Sequence, residues 1–222
     1  MQIIPAILEN DLSEVAEKLA IVQADGNFKT VQIDITDGQL VENLTVTPMD
    51  LASLDFGDLK IDFHLMTEEP LDYVWEIAAQ EGALPTRAVF GQIERMGDQV
   101  AFLKAARERG FVAGLALDLE TPIDSITEAA WREIDEVLLL AVPMGVQGQK
   151  FSAAIWAKVK ELQTEIAARH LKIKINLDGG IKPEKLKELN TKESEKSSGG
   201  TMSKVRTKFR ALRLYKTNAA RF

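Results

Sequence analysis

Apolar positions along this chain switch between two spacings. Short runs rich in Ile, Val, Leu and Phe occur at residues 3–8, 30–34, 59–65, 87–90, 112–117, 136–142 and 172–178. Near-continuous apolar runs of that length predict strands covered on both faces, as in a parallel sheet. Between them, residues 12–22, 71–81, 99–109 and 153–168 place apolar side chains mostly three and four apart, the period of a helix with one buried face. Strands alternating with helices predict a parallel sheet, and right-handed crossovers close such a series into a (β/α)8 barrel.

The eighth strand is hard to place. It is expected at about 190–202, where Lys192-Glu193-Ser194-Glu195-Lys196-Ser197-Ser198 has no strand pattern. Further on, Met202, Val205, Phe209 and Leu212 recur at helical spacing. The expectation is therefore an α/β chain, a TIM barrel over 1–190 with its eighth strand irregular or missing, followed by an atypical closing segment over 191–222 that ends in a basic helix. The basic character is marked: residues 201–222 hold seven Lys or Arg and no acid, against a net charge of −7 for the whole chain.

Composition narrows the function classes. The 222 residues fit one barrel domain, a fold that typically takes roughly 250. With 45% hydrophobic residues a full core is affordable in area, yet no apolar stretch approaches the ~20 residues of a membrane helix. The start at Gln2-Ile3-Ile4 lacks the charged and apolar regions of a signal peptide, and cysteine is absent, so a cytoplasmic location without disulfides is expected. The acidic balance disfavours a nucleic-acid partner. No dinucleotide-type glycine fingerprint points to a redox cofactor.

In a parallel barrel the chemistry sits at the carboxyl ends of the strands. Asp34 and Asp178 each close an apolar run there, and His64 lies at the end of a third. Two carboxylates and an imidazole aimed into one mouth suit a divalent-metal site that also moves protons. The plainer alternatives are a hydrogen-bonded core histidine and a capping aspartate, with Asp37-Gly38 as a simple turn. After Asp178, Gly179-Gly180 expose backbone N–H groups suited to phosphate oxygens, or merely make a tight turn before Pro183. The loop from Pro143 to Gln149, with Gly145 and Gly148, has the size and glycine content of a substrate cover, or of an ordinary surface loop.

Seven segments then coincide, in order, with those of one family: Pro5-Ala6-Ile7-Leu8, Ile33-Asp34-Ile35-Thr36-Asp37-Gly38, Val41-Glu42-Asn43, Asp62-Phe63-His64-Leu65-Met66, Thr121-Pro122, Gly145-Val146-Gln147-Gly148-Gln149-Lys150-Phe151 and Leu177-Asp178-Gly179-Gly180-Ile181-Lys182-Pro183. From residue 1 to about 190 the chain resembles the ribulose-phosphate 3-epimerases, metal-dependent (β/α)8 enzymes of pentose phosphate metabolism. The resemblance implies a phosphorylated ketopentose as substrate, with Asp34 and Asp178 as both metal ligands and acid/base pair and His64 as a third ligand. It implies a divalent cofactor (Zn, Mn, Mg or Fe), and substrate or phosphate contacts at Met66, Gly145, Gly148, Gly179 and Gly180, with Gly199-Gly200 as the remnant of a second phosphate turn.

The chain departs from the family at several of these places. Gln32 stands where the family has its fourth metal ligand, a histidine; Ala6 replaces a serine; Phe90 stands where the fourth strand usually offers histidine; and Pro143-Met144 replaces an Asn-Pro pair. As a ligand, Gln32 would present a neutral amide oxygen, which weakens zinc binding and shifts preference toward Mg²⁺ or Mn²⁺. An epimerase or lyase for a hexulose phosphate, and a non-catalytic phosphosugar-binding barrel, stay open as alternatives, as does homo-oligomerisation. Hexulose-phosphate relatives favour a lysine near the catalytic aspartate, and none closely follows Asp34.

Overall fold

Eight parallel strands pair in sequence order and close on themselves, β1 hydrogen-bonding to β8 as well as to β2. They are β1 (Ile3–Ile7), β2 (Thr30–Thr36), β3 (Lys60–Met66), β4 (Thr86–Gln92), β5 (Val112–Leu117), β6 (Glu136–Leu140), β7 (Lys174–Asp178) and β8 (Val205–Arg210). This is a computed structural model, and it describes residues 2–80, 82–145, 148–180 and, as backbone, 205–210. The expected seven strands all form, with ends shifted by a few residues.

The helices outside the barrel are α1 (Leu12–Asp25), the short α2 (Pro48–Leu51), α3 (Pro70–Ala79), α4 (Gln99–Glu108) and α5 (Ile155–Ala168). Their starts follow local chemistry. Asp11 accepts from Ser13 N at the head of α1, and Asp98 accepts from Val100 N and Ala101 N at the head of α4, each satisfying backbone donors that a first turn leaves unpaired. Thr47 and Asp50 form a reciprocal capping box on α2.

Residues alternate across strands β1 to β7, and the alternation builds two cores. Outward positions such as Ile33, Ile35, Phe63, Leu65, Val89, Leu115 and Leu139 pack under the helices in the larger cluster. Inward, Ala88, Phe90, Ala116, Leu138 and Leu140 form a smaller apolar cluster. Phe90 fits because its ladder partner on β5 is Gly114, where even a Cβ would collide with the phenyl ring.

The segment after residue 190 requires a correction. A closing strand was expected to be irregular or missing, and the stretch containing Val205 and Phe209 to be helical; instead Val205–Arg210 is the eighth strand, paired with Ile175–Leu177 on one side and Ile3–Ala6 on the other. The sequence Val-Arg-Thr-Lys-Phe-Arg also alternates with period two, so helix and strand patterns overlap there. The free edges of β1 and β7, each with a row of backbone donors and acceptors, decide in favour of the strand. The remainder of 181–222, including Gly199 and Gly200, lies outside the described residues.

Candidate active site

Strands β2 and β3 run in simple register, which sets Asp34 beside His64 and Thr36 beside Met66. Gln32 and Asp34, two residues apart, share the interior face of β2. Asp178 ends β7, across the barrel mouth from them. Asp34, His64 and Asp178 present ligand atoms that all lie within 4.8 Å of one another, and each side chain is about 1% exposed. The three residues singled out in the sequence are therefore brought into one buried group.

Gln32 joins that group through its amide nitrogen. Nε2 donates to Asp34 Oδ1 at 2.7 Å and to Asp178 Oδ2 at 2.7 Å, so the two hydrogens of one NH2 serve two carboxylates on different strands. His64 Nδ1 lies 3.1 Å from the same Asp34 Oδ1, and His64 Nε2 lies 2.8 Å from Gln92 Oε1 on β4. A continuous chain of polar contacts thus runs Asp178, Gln32, Asp34, His64, Gln92 across β7, β2, β3 and β4. The donor set fits a divalent ion: an imidazole and two carboxylates converge at coordination scale.

Gln92 is the residue that the sequence did not disclose. Phe90 occupies the barrel interior as His64's ladder partner, but the side chain touching the imidazole belongs to Gln92, one inward position further along. β3 and β4 also slip register between Ile61 and Asp62, so neither the ladder partner of His64 nor the side chain beyond it can be counted off along the chain.

Around this centre the loops interlock. Asp37 accepts from Gln39 N (2.9 Å) and Leu40 N (3.1 Å) in its own turn and from Glu68 N (2.7 Å) after β3. Partial burial works against its ionisation, but these backbone donors outweigh it and hold the carboxyl below its usual range. The turn reading of Asp37-Gly38 is thus the one seen, with Gly38 at φ 73°. On the far side, Glu94 Oε1 accepts from Asp118 N (2.8 Å) and Thr121 Oγ1 (2.6 Å), while Lys158 on α5 donates to the carbonyls of Asp118 and Leu119. Burial pushes the Asp118 carboxyl up and the Lys158 ammonium down.

The glycines lie where mouth loops meet. Gly145 has φ 78°, and a Cβ there would come 2.8 Å from Val41 Cβ in the loop after β2. Gly180, at φ 65°, backs directly onto the main chain of Phe151, so no side chain can be added without moving that loop. A Cβ on Gly179 would instead meet the Val142 side chain, whereas Gly148 is exposed with open space around it. Met66 is fully buried at the end of β3.

A closed (β/α)8 barrel with a buried carboxylate, imidazole and carboxylate at the strand ends has the architecture of a barrel enzyme. The chain belongs to the Ribulose-phosphate 3 epimerase family, whose profile matches residues 2–198. The ribulose-phosphate 3-epimerase of Bacillus subtilis (strain 168) is 30% identical over 187 residues, covering 83% of each chain. That of Escherichia coli (strain K12) is 31% identical over 189 residues, 84% of this chain and 81% of the relative. That of Encephalitozoon cuniculi (strain GB-M1) is 30% identical over 176 residues, 79% and 76% respectively. Among solved structures, a chain of the tryptophan synthase complex from Pyrococcus furiosus superposes with a TM-score of 0.57 at 12% identity, over 94% of this chain and 85% of that one, a likeness of fold alone. The chain is accordingly an enzyme of the carbohydrate-epimerase type. Among the described residues no helix is long and apolar enough to cross a membrane.

Proposed function

We propose that the chain interconverts ribulose 5-phosphate and xylulose 5-phosphate by inverting C3, with Asp34 and Asp178 as the two proton carriers. The observation that carries this reading is the coupling of those carboxylates through Gln32 in one buried group beside His64. Inversion needs a base on one face of the carbon and an acid on the other. Carboxylates from β2 and β7, on different sides of the barrel mouth, meet that need when the sugar lies between them. One aspartate takes the C3 proton, and its partner returns a proton to the opposite face. Neither step changes oxidation state.

Asp34, His64 and Asp178 would hold the divalent ion, which supplies Lewis-acid polarisation of the ketone when bound. Gln32 stands in the fourth position implied by the family. In the orientation described its nitrogen, not its oxygen, faces the carboxylates. Served as a ligand, it would turn its amide over. The Gly179-Gly180 turn, packed against Val142 and Phe151, and the loop carrying Gly145 and Gly148 supply the backbone donors and cover for the phosphate end of the substrate.

A coupled assay following xylulose 5-phosphate formation tests the reading. Turnover by the parent with a divalent metal, lowered at least ~100-fold in Asp178→Asn, supports it, since a positioned acid/base group is worth ~10² to 10⁴. Equal rates for parent and variant overturn it. Absence of turnover with every divalent metal would instead point to a binding barrel or a different phosphosugar.

A further inference from the structure

We infer that Gln92 is a positioning residue that fixes the tautomer of His64, so that Nδ1 is left as the lone-pair nitrogen facing the site. The inference rests on the reading of His64 as a metal ligand.

Gln92 ends β4 completely buried, with Oε1 2.8 Å from His64 Nε2. An amide oxygen can only accept, so this contact needs the imidazole hydrogen on Nε2. A neutral imidazole has one such hydrogen. Nδ1 then carries the lone pair, on the side where Asp34 Oδ1 lies 3.1 Å away and the Asp178 carboxylate completes the group. A separation of that size suits two atoms bound to one cation. The opposite amide orientation has the opposite consequence: Gln92 Nε2 would donate to His64 Nε2, the hydrogen would move to Nδ1, and the lone pair needed by the ion would be gone. Gln92 therefore acts as a selector between a ligating and a non-ligating histidine, without touching the substrate.

Burial makes the selection stringent. His64 is about 1% exposed, so water is not at hand to replace the lost acceptor. The partner of a ligating imidazole typically tunes affinity by 10- to 100-fold. On that scale Gln92→Leu should weaken zinc binding ~10- to 100-fold, whereas Gln92→Glu, which keeps an acceptor at the same reach, should bind zinc about as well as the parent or better.

The chain has only two histidines, His64 and His170, which makes the direct test clean. Imidazole ¹⁵N spectra of the zinc-loaded protein, assigned with His170→Gln, should show His64 protonated on Nε2 and bound through Nδ1. Zinc competition against a chromophoric chelator supplies the second readout for Gln92→Leu and Gln92→Glu, with His64→Ala as control. Retained zinc affinity in His64→Ala would defeat the ligand reading itself. Loss in His64→Ala with unchanged affinity in Gln92→Leu would overturn the selector role alone. A parent spectrum with the His64 hydrogen on Nδ1 overturns it too, whether or not the leucine variant folds.

Discussion

The two ends of the barrel each bury a pair of carboxylates, and they hold them by different means. At the amino-terminal end, Arg87 Nε donates to Asp62 Oδ1 at 2.6 Å and Nη1 to Glu136 Oε1 at 3.1 Å, with Lys174 Nζ at 3.4 Å and Asn176 Nδ2 at 3.0 Å from Glu136 as well. Burial alone would lower the affinity of Arg87 for its proton, but Asp62 and Glu136 more than reverse that and raise its pKa. At the carboxyl-terminal end, the contacts among the described residues include the amide of Gln32, which bridges Asp34 and Asp178, and the imidazole of His64 beside Asp34. Neither carries a permanent charge. Ala88, Phe90, Ala116, Leu138 and Leu140 form an apolar cluster in the barrel interior between the two polar systems. A guanidinium from β4 clamps the first pair, whereas an amide from β2 bridges the second.

The comparison breaks most sharply on turnover. Asp178→Asn should cost ~10² to 10⁴ in rate while the thermal midpoint changes little, because an amide of the same shape stays in the same pocket. Arg87→Met should show the reverse pattern. Leaving Asp62 and Glu136 buried without their clamp should cost ~3 to 5 kcal/mol in denaturant unfolding, with turnover per folded molecule close to the parent's. If Arg87→Met lowered the rate as much as Asp178→Asn, the two ends would not be functionally separate.

A smaller effect sharpens the role of the bridge. Gln32→His should tighten zinc by about tenfold or more, the scale on which even outer partners of a ligand act, and should slow stripping by chelator. Equal zinc affinity in the two proteins would remove position 32 from the metal's surroundings. The smallest effect concerns Asp37, whose contacts are partly exposed. Asp37→Asn should lower stability by less than ~1 kcal/mol at neutral pH. Its folded pKa lies below the unfolded value near 3.8, so its contribution is full above that value and disappears as pH falls through the folded pKa. Unfolding free energies of parent and variant should therefore converge on acidification below about pH 4, and a gap that widens there would refute the assignment.

What could be read from the chain alone was whatever depends on local periodicity and strand ends. The seven apolar runs announced β1 to β7, and the position of Asp34, His64 and Asp178 at their ends was enough to bring three distant residues into one group, because a parallel barrel points all its strand ends into one mouth. Pairing and register were decided elsewhere. Val205–Arg210 satisfies both a helical and an alternating pattern, and only the open edges of β1 and β7 select the strand. Gln92, one inward position beyond His64's ladder partner Phe90, is the side chain that meets the imidazole. The side of the Gln32 amide that meets the carboxylates, and the contact of Gly180 with the Phe151 backbone, likewise depend on groups remote in sequence. Periodicity is a property of neighbours along the chain; ladder register and side-chain partners are set by which edges meet in space, and these came only with the closed barrel.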